Sequence, residues 1–90
     1  MGEPAYEIRF RRSALRELGD LQPPIRLRVI RAIHGVALDP RPPGVKLLSG
    51  LERIWRIRIG DYRVLYRLDD DRSVVILLRI RHRGKAYTQR

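Results

Sequence analysis

The stretch that decides the fold is Ile54-Trp55-Arg56-Ile57-Arg58-Ile59-Gly60-Asp61-Tyr62-Arg63-Val64-Leu65-Tyr66-Arg67-Leu68. Its apolar and arginine residues alternate, and strand side chains point alternately to opposite faces. Trp55, Ile57 and Ile59 therefore share one face, and Ile54, Arg56 and Arg58 the other. In the second half Tyr62, Val64, Tyr66 and Leu68 share one face, and Arg63, Leu65 and Arg67 the other. Read as a two-residue hairpin loop, Gly60-Asp61 pairs Ile59 with Tyr62 and Arg58 with Arg63. The two apolar faces then coincide, and so do the two arginine faces.

That register carries a cost. Like charges directly across a ladder are unfavourable by some tenths of a kcal/mol up to about 1 kcal/mol. A sequence selected for stability alone would alternate signs there. Val74 to Arg83 continues the period-two pattern, with Arg79, Arg81 and Arg83 expected on the same face. About six arginines converging without interleaved acids point to an anion site. The plainer reading is solvated surface charge.

Working outward, Asp69-Asp70-Asp71 supplies the turn into the third strand, which makes an antiparallel meander. Upstream, Tyr6 to Phe10 alternates and reads as a strand. Ser13 is placed to cap a short helix to about Leu21, with Ala14, Leu15, Leu18 and Leu21 at helical spacing. Pro23-Pro24 breaks that helix and starts a second, since proline is tolerated in the first turn. Ile25, Val29, Ile33 and Val36 form its buried stripe, and Asp39-Pro40 ends it before the stiff loop Arg41-Pro42-Pro43-Gly44. The expected fold is α+β, in the order β-α-α-β-β-β, a small twisted antiparallel sheet packed against an N-terminal helical hairpin. Residues 1–90 read as a single domain, because 90 residues bury one modest core.

Composition narrows the partner. Twenty basic and ten acidic residues give a formal net charge of +10, which favours a polyanion. The charge is uneven: residues 1–45 hold eight basic against five acidic side chains, and residues 46–90 twelve against five. Only Lys46 and Lys85 are lysine, and arginine suits bidentate phosphate binding. Codon bias can account for arginine over lysine, but not for where the arginines sit. The chain has no cysteine, so no disulfide framework or thiolate metal site is expected. No run of 18 apolar residues and no apolar signal core occur, and a cytoplasmic protein without a membrane role is expected. No His/Cys/Asp/Glu set has metal-ligand spacing and no glycine-rich phosphate loop is present, so neither metal nor cofactor is expected.

The run Lys46-Leu47-Leu48-Ser49-Gly50, the hairpin from Trp55 to Tyr66, and Ile80-Arg81-His82-Arg83 with Tyr87 resemble the RelE/ParE superfamily of toxins. The Tyr6–Phe10 strand, Ala14-Leu15-Arg16-Glu17-Leu18 and Asp39-Pro40-Arg41-Pro42 are similar too. The resemblance spans about residues 5–88. It implies a compact RelE-like fold and a toxin of a prokaryotic type II toxin–antitoxin system. For the RelE branch it implies an mRNA interferase, an endoribonuclease that cuts mRNA in the ribosomal A site without a metal. By position, Arg56 and Arg58 match the basic residues of the strand before the hairpin, and Arg63 the arginine after the turn. Arg83 matches the arginine ending the last strand, with Arg81 as the alternative, and Tyr87 matches the C-terminal tyrosine. These five are the expected catalytic residues. Arg67, Arg79, Arg81, Lys46 and Lys85 are the expected RNA contacts.

In the implied reaction the 2′-OH attacks the adjacent phosphate and the 5′-oxygen leaves, which needs a base, an acid and stabilisation of added negative charge. Arg56 and Arg63 suit the third role, Arg83 the leaving oxygen, and Tyr87 stacking on a base. Many RelE toxins carry lysine at one or both of the positions of Arg56 and Arg58, and here both are arginine. Arginine keeps its proton, with a pKa above about 12, so Arg58 is a poor base and the base stays open. His82 falls opposite Arg81 and Arg83 by parity. His34 reads as structural, and Trp55, Tyr6, Tyr62 and Tyr66 as core aromatics. The alternative from another class is a ParE-like DNA gyrase inhibitor that uses the same arginines for binding and cuts no RNA. A third is a generic RNA-binding domain. The toxin readings require a cognate antitoxin as a separate chain with an acidic or amphipathic segment, ribosome and mRNA as further partners for the nuclease, and oligomerisation through the antitoxin complex.

Overall fold

The computed structural model describes residues 5–49 and 51–83. Its elements are β1 (Glu7–Phe10), α1 (Arg12–Gly19), α2 (Pro23–Leu38), β2 (Lys46–Ser49), β3 (Ile54–Ile59), β4 (Tyr62–Asp69) and β5 (Val74–His82). They form a five-stranded sheet in the order β1-β5-β4-β3-β2 with two helices. The hairpin register is the one the alternation dictates, with Ile59 opposite Tyr62 and Arg58 opposite Arg63. Gly60 takes φ +61° in that turn, a left-handed conformation that a Cβ disfavours.

The apolar face of the sheet carries the core. Val64, Tyr66, Leu68, Val75, Leu77 and Ile80 are buried against Ala14 of α1 and Val29, Ile33 and Val36 of α2. Each fully buried Val or Leu contributes about 1.5–3 kcal/mol relative to exposure, so this layer is what drives the domain to fold. Ile25, the first residue of the expected stripe, is only partly buried. Pro23 and Pro24 occupy the first turn of α2, as expected. The core aromatics behave as read. Tyr66 is fully buried and its hydroxyl donates to the Pro40 carbonyl at 2.7 Å, and Trp55, Tyr6 and Tyr62 pack on the core from its margin.

Three points differ from the expectation. Lys46–Ser49 is a strand, pairing antiparallel with β3 at the sheet edge. Its two central leucines, Leu47 and Leu48, are both exposed, so it has no alternation to read. The sheet is also mixed: β2 to β5 run antiparallel, but β1 lies parallel to β5. Ile8 opposite Val75 and Phe10 opposite Leu77 extend the core face across that pair, and the helices and meander form its crossover. Finally, Ser13 does not cap α1. Arg11 is the N-cap, without a side-chain cap bond. The Ser13 hydroxyl donates instead to the Leu78 carbonyl at 3.0 Å. β1 ends opposite Leu77, so that carbonyl of β5 has no strand beside it and α1 supplies the partner.

Candidate nucleic-acid interface

The other face of the sheet gathers the basic residues into two cross-strand rows. Arg58, Arg63 and Arg81 stand opposite one another on β3, β4 and β5. The next row is Lys46, Arg56, Leu65 and Arg79. A third row holds Arg67, opposite Ile54 and Ile76. Neighbouring strands lie about 4.8 Å apart, so the first row is a ladder of three guanidinium groups, and the second adds Lys46, Arg56 and Arg79 beside it.

Arg79 and Arg81 reach this face through an irregularity. β4 and β5 shift register between Leu65 and Tyr66, which leaves Leu78 as an extra residue on β5. Val75 and Leu77 are buried before it and Ile80 after it. The bulge changes the strand's parity and turns Arg79 and Arg81 to the arginine face.

Arg58, Arg63 and Arg83 meet at a small recess of about 30 Å³ at the hairpin end, with Gly60, Asp61 and Tyr62. Arg83 is held there by its backbone N–H, which donates to the Asp61 carbonyl at 2.7 Å. Arg28 of α2 reaches the same turn, its guanidinium 3.4 Å from where a Cβ on Gly60 would stand. Arg56 is half-buried, and its Nε is shielded from solvent with no hydrogen-bond partner among the described residues. A buried donor left so costs about 1–3 kcal/mol.

Acids are not wholly absent from the face, contrary to the sequence reading. Glu17 of α1 reaches around the free edge of β5. Its carboxylate accepts from Arg79 Nε at 3.2 Å and Nη2 at 2.9 Å, and from the Ile80 backbone N–H at 2.7 Å. Arg81 Nε stands 3.8 Å from the same carboxylate, and both side chains are under one-fifth exposed, 16% and 17%. Arg67 lies 3.9 Å from Glu52. At the far end of the face Glu7 pairs with Arg9 and Asp69 with Arg72. Carboxylates thus meet Arg79, Arg81 and Arg67 and the far end of the face, while Asp61 lines the recess beside Arg58, Arg63 and Arg83 at the hairpin.

His82 is opposite Tyr62 on the core side of the sheet, stacked edge-on at 5.1 Å, where parity places it. His34 is exposed on α2, among the apolar residues Ile8, Phe10 and Ile33. Lys85 and Tyr87 lie outside the described residues. Among the described residues no three His, Asp or Glu side chains come together to hold a metal, and no helix is long and apolar enough to cross a membrane. Sequence reading missed Glu17 and Arg28. Glu17 meets β5 62 to 63 residues away, and no local pattern carries such a contact.

A second cluster closes the opposite end of the sheet. Asp70 accepts from Tyr6 Oη at 2.7 Å and Arg41 Nη2 at 2.6 Å. These bonds hold the Asp70 carboxyl below its ordinary range, Arg41 contributing most. Arg41 also stacks 5.1 Å from the Trp55 ring centroid.

Residues 8–87 match the family described as the ParE toxin of the type II toxin–antitoxin system parDE. The chain is 36% identical over 83 residues to toxin RelG of Mycobacterium tuberculosis, covering 91% of this chain and 95% of that protein. It superposes on a chain of the toxin–antitoxin complex RelBE2 of M. tuberculosis with TM-score 0.78 and 34% identity, covering 92% and 97% of the two. A chain of the archaeal RelE–RelB complex of Pyrococcus horikoshii shares the fold at TM-score 0.80 and 24% identity, covering 90% and 98%.

Proposed function

The chain belongs to the ParE toxin family of type II toxin–antitoxin systems, and on that premise we propose that it is a ribosome-dependent endoribonuclease cutting mRNA in the A site. The observation that carries this reading is the Arg58–Arg63 cross-strand pair, with Arg56 beside it and Arg83 closing the recess. A like-charge pair directly across a ladder, one position from its turn, costs stability and is accounted for by a bound polyanion.

The mRNA 2′-OH attacks the adjacent phosphorus and the bond to the 5′-oxygen breaks. Arg56 and Arg63 hold the non-bridging oxygens as charge builds on them. Arg83, which lines the recess, donates hydrogen bonds to the leaving 5′-oxygen, and solvent supplies the proton that oxygen takes up, because guanidinium keeps its own. Tyr87 stacks on a base. Arg58 contributes charge rather than proton removal, because guanidinium keeps its proton. The base comes from the substrate complex, or the cations lower the 2′-OH pKa enough for solvent to serve. The residues need no metal for these roles, so cleavage persists in EDTA where the ribosome itself is kept intact.

The partner is a cognate antitoxin, a separate chain with an acidic segment that covers the arginine face and brings toxins together in the complex. Like the RelBE2 chain it resembles, this toxin is then held in a toxin–antitoxin assembly.

The family description favours a second reading, since the matching model is named for ParE: binding to DNA gyrase with no RNA cut. Programmed ribosomes and a supercoiling assay separate the two. The nuclease reading expects mRNA cleavage by the wild type and a loss of at least a hundredfold in Arg63→Ala, with that variant still folded and still bound by antitoxin. Inhibited supercoiling with mRNA left intact would establish the gyrase reading in its place.

A further inference from the structure

We infer that Glu17 is a positioning residue for the arginine face: it fixes the phase of the last residues of β5 and so delivers Arg79 and Arg81 to the side of Arg58 and Arg63. Its consequence for cleavage rests on the nuclease reading; the geometry does not.

β5 needs an outside partner where it bends. β1 covers its edge only from Val74 to Leu77. Beyond that, an edge carbonyl and an edge N–H face away from β4 with no strand to meet them, and unmet backbone groups of this kind are unfavourable when shielded from water. α1 supplies both. Ser13 donates to the Leu78 carbonyl and Glu17 accepts from the Ile80 N–H, at 3.0 and 2.7 Å. The two residues are one helical turn apart, so the helix acts as a short replacement strand at the bulge and just after it.

The same carboxylate then orients what the bulge has turned. Arg79 donates to it through Nε and Nη2, and Arg81 Nε lies 3.8 Å away. Were the strand to lose the bulge, Arg79 and Arg81 would fall on the core side with Leu77, and Ile80 would leave the core. Charge-assisted bonds to a part-buried carboxylate are about twice as strong as neutral ones, which suits them to holding that choice. Arg81 stands opposite Arg63, so an error in its placement is felt beside the phosphate-binding row.

Positioning and simple counter-charge make opposite forecasts. Glu17→Gln keeps an acceptor for the Ile80 N–H but removes a negative charge next to a polyanion site. Counter-charge alone predicts tighter RNA binding and an undiminished rate. Positioning predicts that kcat on programmed ribosomes falls at least fivefold while KM falls or stays level. Glu17→Ala loses the acceptor as well, and its Ile80 amide exchanges with solvent at least tenfold faster than in the wild type or Glu17→Gln. Amide exchange is followed on the toxin alone, with Ile80 compared with the buried Val64 and Leu77 amides of the same protein, so local release is told apart from a general loss of stability and the readout holds even if the wild type cuts no RNA. An unchanged kcat with lower KM in Glu17→Gln overturns the inference. So does equal Ile80 exchange in all three proteins. Failure of the wild type to cleave would sink the nuclease reading alone and leave the exchange data to decide the role of Glu17.

Discussion

Arg58 and Arg63 sit directly across a ladder from each other, and this pair separates stability from function. Replacing Arg58 with Thr removes one charge and keeps a residue that favours strands. The isolated toxin should become more stable, by some tenths of a kcal/mol to about 1 kcal/mol, while mRNA cleavage falls; paired thermal melts and cleavage assays check both signs. Asp70 behaves differently. Its folded pKa is depressed by Arg41 and Tyr6, so the stability it contributes is present above the ordinary carboxyl range, near pKa 3.8, and lost as pH falls through the lower folded value. Asp70→Asn should therefore be less stable than the wild type at neutral pH and approach it below that range, in melts taken from neutral to acid pH. Parity and the two-residue Gly60-Asp61 loop together made the Arg58–Arg63 pairing legible in the sequence. Asp70 read there only as a turn residue, because its partners Tyr6 and Arg41 come from segments 64 and 29 residues away.

At the scale of elements, the hairpin is the best-determined piece. Gly60 is required by its positive φ, while the space around it is closed only by the flexible end of Arg28. Gly60→Ala should cost about 1–2 kcal/mol for the left-handed backbone, and a Tm drop of several degrees would be its signature. The three antiparallel strands and both helices follow from periodicity and from Pro23-Pro24. Other features do not. β2 has two exposed leucines in succession and no alternation. β1 joins its parallel partner through most of the chain, a pairing that local patterns do not encode. The bulge at Leu78 is marked only by a change of parity, from buried Leu77 to buried Ile80, which becomes meaningful once β4 fixes the register. Ser13 looked like a helix cap because serine favours that place; the unpaired edge of β5 claimed its hydroxyl instead.

At the scale of the molecule, a formal charge of +10 on 90 residues includes a sheet face on which Lys46, Arg56, Arg58, Arg63, Arg79 and Arg81 stand in two cross-strand rows. On the nuclease reading this face takes up RNA with release of counterions, so affinity should fall linearly with salt on a logarithmic plot, by about 0.7 per phosphate contact on single strands. Removing Arg63 should lower that slope by about 0.7, measured by titrating a non-cleavable single-stranded RNA at several salt concentrations. Composition announced the polyanion, and alternation located the face. How far Glu17 tempers it depended on tertiary contacts that bring α1 to β5. The central claim is that this face cuts mRNA on the ribosome, and the most direct test is to map mRNA 5′ ends in cells after inducing the toxin without its antitoxin. The account predicts new 5′ ends within translated reading frames for the wild type and none for Arg63→Ala expressed at the same level; identical 5′-end maps for the two proteins would contradict it.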